Sequence, residues 1–132
     1  MMSDRKQVFT GSPWEPVVGY CRAIRVGNRV EVAGTTAMQG GEVVGEGDAY
    51  LQTKQVLATI DAALQEVGAT LSDVVRTRMF VTDISQWEAI GRAHGEVFRD
   101  ICPVATMVEV KALIDPRLLV EIEAEAIISE EK

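Results

Sequence analysis

At 132 residues, with 47% hydrophobic and 25% charged residues, the chain has the size and composition of one globular domain and not of a disordered segment. Thirteen Lys and Arg against 20 Asp and Glu leave a net charge of -7, which opposes binding to nucleic acid or to a strongly acidic membrane surface. No apolar run approaches the ~20 residues that span a bilayer, and the polar start Met1-Met2-Ser3-Asp4-Arg5-Lys6 leads into no signal-peptide core, so residues 1–132 are expected to form a single soluble, cytoplasmic domain.

In chain order, residues 8–9 read as a short strand. Gly11, Ser12, Pro13 and Pro16 then argue against regular structure in the following loop. Residues 20–26 and 29–33 are β-favouring runs on either side of Gly27-Asn28, a two-residue turn that needs positive φ, which predicts a hairpin. Gln39-Gly40-Gly41 is a second turn, with residues 42–44 as a possible short strand. From Asp48 the period changes. Leu57, Ile60, Leu64 and Val67 recur at helical spacing, and Val56 and Ala63 widen the stripe. Asp48 is placed to cap this helix and Gly68 to end it in the left-handed conformation. Val74–Val81 reads as a strand. Ser85 and Glu88 have the spacing of a capping box. They open a second helix, with Trp87, Ile90, Val97 and Ile101 on its apolar face, which Pro103 stops. Residues 104–111 and 119–128 read as two longer strands. The order of elements predicts an α+β layout with both helices on one face of a sheet.

Period-2 alternation collects charge on the opposite face. Arg29, Glu31 and Ala33 alternate with Val30 and Val32. Arg76, Arg78 and Phe80 alternate with Val75, Thr77, Met79 and Val81. Glu121, Glu123 and Glu125 alternate with Val120, Ile122, Ala124 and Ala126. Such a face is either solvated or a ladder of paired charges that meets other subunits, and Phe80, Met107 and Val108 among the charges favour the ladder. Cys21 and Cys102 lack metal-ligand spacing and are expected to be reduced, small buried side chains rather than nucleophiles. His94, the single histidine, falls on the apolar face of the second helix and reads as a hydrogen-bonded core residue rather than a catalyst. Trp14 lies in the N-terminal loop, either lining a cleft or covering an edge.

The run Pro103-Val104-Ala105-Thr106-Met107-Val108-Glu109-Val110, followed by Leu113 and Val120-Glu121-Ile122-Glu123-Ala124, resembles the C-terminal signature of the RidA/YjgF family. Val26-Gly27-Asn28, Ala33-Gly34 and Val75-Arg76-Thr77-Arg78-Met79-Phe80-Val81-Thr82-Asp83 fit the same family in order, so the resemblance covers nearly the whole chain. It implies a chorismate-mutase-like α+β fold with a mixed sheet, assembled as a homotrimer that binds small molecules in clefts between subunits. It also implies the activity of the best-studied branch, a cofactor-free and metal-free hydrolysis of enamines and imines to 2-oxo acids and ammonia.

That reaction needs a hold on the substrate carboxylate, a polarised water and proton delivery. The resemblance places Tyr20 at the family's cleft tyrosine and Glu121 at the glutamate that positions the attacking water. Ala33 and Gly34 fall on the small pair whose backbone approaches the ligand. Each has a plainer reading: Tyr20 as a partly buried side chain beside a loop, Glu121 as a rung paired with Arg76 or Arg78. Three ligand-binding positions depart from the family pattern. The clamp arginine is Ala105, the cysteine two residues on is Met107, and the asparagine of the second helix is Gly91. These departures bear on the activity and leave the fold untouched. A non-catalytic small-ligand-binding or chaperone-like trimer is therefore the alternative function. An RNA-directed activity, suggested only by endoribonuclease labels within the family, is opposed by the acidic charge.

Overall fold

Alternating apolar and polar residues build the strands, and the 3.6-residue apolar stripes build the helices that cover them. The computed structural model describes residues 5–129; the polar start before Arg5 and the end of the charged C-terminal tail lie outside the described residues. The elements are β1 (Arg5–Val8), α1 (Trp14–Val18), β2 (Ala23–Val26), β3 (Arg29–Thr35), β4 (Met38–Gln39), β5 (Glu42–Val43), α2 (Ala49–Glu66), β6 (Val74–Val81), α3 (Trp87–Phe98), β7 (Val104–Glu109) and β8 (Val120–Ile127). Six strands form one sheet in the order β1-β2-β3-β8-β6-β7, and β4 and β5 form a separate ribbon. Only β6 and β7 pair in parallel, so the sheet is mixed.

Helix α2 lies over β3 and β8 and packs beside α3. Its stripe of Val56, Leu57, Ile60 and Leu64 is buried against Val30, Val32, Ile122 and Ala124. Each large aliphatic side chain buried there contributes about 1.5–3 kcal/mol. Asp48 accepts a hydrogen bond from the Leu51 amide at 3.0 Å, and Gly68 takes φ 84°, so both predicted ends of α2 are observed. At the first hairpin only Gly27 has positive φ, 63°, which is the pattern of a type II′ turn. In the β4–β5 ribbon, Gly40 and Gly41 both do, at 59° and 83°.

Several expectations need correction. The loop after β1 contains α1 despite its prolines. Pro16 sits in the first turn, where its missing N–H has no intrahelical partner to lose. Glu15 folds back and accepts hydrogen bonds from the Thr10 and Gly11 amides and the Thr10 hydroxyl. Strand β2 begins at Ala23, leaving Tyr20 and Cys21 outside the regular pairing. Asp83, not Ser85, caps the entry to α3. Its carboxylate accepts from the Ser85 amide and hydroxyl at 3.0 and 2.7 Å, and a 3-10 turn, Ile84–Gln86, intervenes. Trp87 is consequently 55% exposed, while Ile90, Ala93 and Phe98 are buried.

The faces of the sheet also sort differently in detail. An irregularity between Val74 and Arg76 turns Val75 outward, away from Thr77, Met79 and Val81. Met107 pairs with buried Met79 and packs on the helix side, so it is not among the charges; Val104 and Val108 share the helix-free face with Arg76 and Phe80. Neither cysteine is buried: Cys21 is half-buried and Cys102 exposed. Cys102 holds φ 53° where the chain turns from α3 into β7, a geometry imposed by the turn. Among the described residues, no helix is long and apolar enough to cross a membrane.

Candidate functional site

Strand β3 pairs regularly with β8 up to Val32, then the register shifts before Thr35. Ala33 and Gly34 occupy that irregularity, a common way to re-aim backbone beside a ligand. On β8, Glu121 crosses over them, and any Cβ on Gly34 would collide with its carboxylate. Glycine here lets the Glu121 side chain lie directly over the β3 backbone; a larger residue would displace that carboxylate. Tyr20 reaches the same place from the segment after α1. Together Trp14, Tyr20, Arg22, Gly34, Ile114 and Glu121 line an open cleft of about 310 Å³. Trp14 therefore lines the cleft, which resolves its two readings.

The charged ladder is present and excludes Glu121. Arg78 contacts Glu123 at 3.5 Å and Glu125 at 3.2 Å, and Arg76 approaches Glu125 at 4.0 Å. Glu121 instead stands opposite Phe80 in the register. Burial raises its carboxyl above the ordinary carboxylate range, neighbouring Glu123 adds to this, and Arg22 opposes both. Glu121 is thus a half-buried carboxylate turned to a cleft, free of the ion pairs that occupy the other glutamates of its strand.

Arg22 was not singled out by sequence reasoning, although it lies two residues from Tyr20 within an apolar run. It is only 9% exposed. Its Nη1 donates to the carbonyl of Gly34 at 2.6 Å and to the Thr35 hydroxyl at 3.1 Å, so it braces the irregular stretch of β3. Its guanidinium carbon stands 5.6 Å from the centre of the Tyr20 ring.

Ala105, Met107 and Gly91 lie elsewhere. Ala105 and Met107 are on β7, the edge strand beyond β6, and Gly91 is on α3. None lines the Tyr20–Glu121 cleft of the same chain. Of the predicted residues, Tyr20, Ala33, Gly34 and Glu121 gather around the β3 irregularity, Ala105 and Met107 lie along the β7 edge, and Gly91 stands apart on α3. His94 belongs to neither group. Its Nε2 lies 2.9 Å from the Thr77 hydroxyl, its ring rests on Phe98, and partial burial lowers its pKa, which fits a hydrogen-bonded histidine at the margin of the core. No group of three or more His, Cys, Asp or Glu among the described residues is placed to hold a metal ion.

A family described as endoribonuclease L-PSP matches residues 10–128. The fold is similar to that of Rv2704 from Mycobacterium tuberculosis, described as a member of the YjgF/YER057c/UK114 family, with 50% identity and a TM-score of 0.87 over 95% of this chain and 100% of that one. An uncharacterised Streptomyces coelicolor protein, SCO2049, is 45% identical over 121 residues, 92% of this chain and 90% of the relative. The 3-aminoacrylate deaminase RutC of Acinetobacter baylyi is 34% identical over 113 residues, 85% of this chain and 88% of the relative.

Proposed function

Since the chain belongs to the endoribonuclease L-PSP family, the RidA/YjgF proteins, we propose that it acts on a small metabolite in a cleft completed by a second copy of itself. The chemistry we assign is hydrolysis at a C=N bond, with 2-imino acids as poor substrates. The observation that carries this reading is Glu121, half-buried over Gly34, facing an open cleft and left out of the charge ladder. Hydrolysis of an imine adds water across C=N to give a carbinolamine, which expels ammonia and leaves the oxo acid. Ionised Glu121 orients the water, accepts its proton as the C–O bond forms and passes it to the imine nitrogen to give the carbinolamine; it then takes the hydroxyl proton as C=O forms and delivers it to the departing amine, so both water protons leave with ammonia. A carboxylate held above its usual pKa is the better base for this exchange. The Tyr20 hydroxyl, on the same cleft wall, orients the ligand or the water.

The other half of the site would come from a neighbouring subunit. In a trimer whose helix-free sheet faces meet at the centre, the β7 edge of one chain, with Ala105 and Met107, would lie against the Tyr20–Glu121 cleft of the next. Exposed Val104 and Val108 on that edge support burial by a partner. Alanine at position 105 offers no cation to a carboxylate from that side. This single feature favours the second reading, a ligand-binding trimer without turnover.

The test is to generate 2-iminobutanoate with a threonine dehydratase and follow release of the oxo acid. The wild-type chain should be slow, and Ala105→Arg should raise the rate about ten- to a hundred-fold, the value of one charge-assisted clamp of ~1.5–3 kcal/mol. A wild-type rate equal to that of an arginine-bearing relative assayed alongside would overturn the reading of Ala105. No turnover by either protein would leave the binding trimer as the function.

A further inference from the structure

Arg22 carries more than the bracing of β3 requires. A guanidinium has five N–H donors in one rigid plane. Nη1 is committed to Gly34 and Thr35, at 2.6 and 3.1 Å. Nη2 has only a 3.5 Å approach to the Tyr20 hydroxyl. No carboxylate lies within ion-pair distance of Arg22 among the described residues, although the group is 9% exposed. The oxygens of Glu15, on α1, are already taken by Thr10 and Gly11. Its charge reaches the carboxylates of Glu15 and Glu121 only through space, without a direct ion pair, and the protein places this buried cation where two clefts adjoin. One cleft is walled by Tyr20, Gly34 and Glu121, the other by Thr10, Ser12 and Thr36, and among the described residues Arg22 is the only cation lining either.

We propose that Arg22 is the anion-holding residue of this site, its free Nη2 edge and the Tyr20 hydroxyl receiving the carboxylate of a small ligand from the cleft wall opposite to the missing clamp at Ala105. The inference rests on the small-molecule cleft proposed above and names its ligand class, a small monocarboxylate. Anchoring of Nη1 sets the guanidinium plane in advance, so little side-chain freedom is lost when the ligand arrives. Cation and carboxylate then stand on one cleft. A bound 2-imino or 2-oxo acid has its carboxylate on Arg22 and its neighbouring carbon toward Glu121. This seating differs from one clamped at position 105, which accounts for binding without efficient turnover.

The probes are 2-oxobutanoate and its neutral amide, 2-oxobutanamide, titrated calorimetrically against the intact protein. Wild type should prefer the carboxylate. Arg22→Gln should weaken carboxylate binding about ten- to a hundred-fold and abolish the preference, while Lys54→Gln, on the outer face of α2, should change nothing. Because Arg22→Gln also removes the bond to Gly34, two further measurements keep the proposal exposed to failure. Arg22→Lys retains charge and a donor but loses the fork, and should fall about tenfold. The Arg22 Nε–Hε resonance of the wild-type protein should shift on adding 2-oxobutanoate and not on adding the amide. Unchanged carboxylate binding in a folded Arg22 variant, or an unmoved resonance, overturns the proposal whatever the turnover assay gives. Carboxylate binding that depends on Arg22 in a protein without turnover supports it and removes only the hydrolase reading.

Discussion

Glu121 shows how much one position depends on its surroundings. By alternation alone it is a third glutamate on a strand that also carries Glu123 and Glu125, and nothing local distinguishes it. In the fold, its neighbours pair with Arg76 and Arg78, while Glu121 faces Phe80, covers Gly34 and opens to the cleft. Its raised pKa has a consequence for stability. A carboxyl that holds its proton more tightly when folded than at its unfolded value of 4.5 favours the native state fully below that value, and loses the contribution as pH rises through the folded pKa. At neutral pH the ionised group therefore costs stability. Glu121→Gln should melt higher than wild type near pH ~7.5, with the difference vanishing near pH ~4. Its imine hydrolysis, measured in the same preparation, should fall. Equal melting curves at both pH values would show that burial does not perturb this carboxyl.

At the level of elements, ends and crossings are set by polar groups as much as by apolar stripes. Gln52 is the example on α2. It is fully buried, its Oε1 accepts from the Leu119 amide at 2.8 Å, and its Nε2 donates to the Arg117 carbonyl at 2.9 Å. These two bonds tie α2 to the turn that feeds β8, and so to the strand that carries Glu121. Gln52→Leu keeps the volume but leaves the partly buried Leu119 amide and Arg117 carbonyl without their partners, and should destabilise the protein by about 1–3 kcal/mol in denaturant titrations. A loss no larger than that of a surface change such as Lys54→Gln would remove Gln52 from this role. Two other element ends follow from which backbone donors stand free. Proline in a first turn does not stop a short helix, and Asp83 takes the Ser85 hydroxyl before it can cap α3.

For the whole molecule, the helix-free face asks to be covered. It carries the Arg76 and Arg78 ion pairs beside Phe80, Val104 and Val108, and β7 at its edge leaves one side unpaired. The proposed trimer covers it and joins the two groups of site residues. Light scattering at micromolar concentration should therefore give three times the chain mass. Arg78→Glu sets like charge against Glu123 and Glu125 and should shift the protein toward smaller species. Lys54→Glu breaks only an exposed pair between α2 and Glu96, of a kind worth little, and should leave the mass unchanged. A monomer mass for wild type, or equal effects from the two variants, would count against this face as the contact.

The family was legible only as a resemblance of motifs, while composition and periodicity were sufficient for the class of fold, the ends of α2, the parity of β3 and β8 and the hydrogen-bonded, non-catalytic placement of His94. These follow from local forces: backbone preference, capping, and burial of alternating side chains, all of which act between residues close in sequence. The separation of Glu121 from its ladder, the outward turn of Val75 and the placement of Met107 on the helix side waited on strand pairing, because register decides which face each side chain takes, while the exposure of Trp87 waited on the 3-10 turn before α3. Arg22 shows this dependence in one residue. In sequence it is a charge in an apolar stretch; in the fold it is a buried cation lining the cleft, because β3 brings the Gly34 carbonyl and the Thr35 hydroxyl within reach of its Nη1.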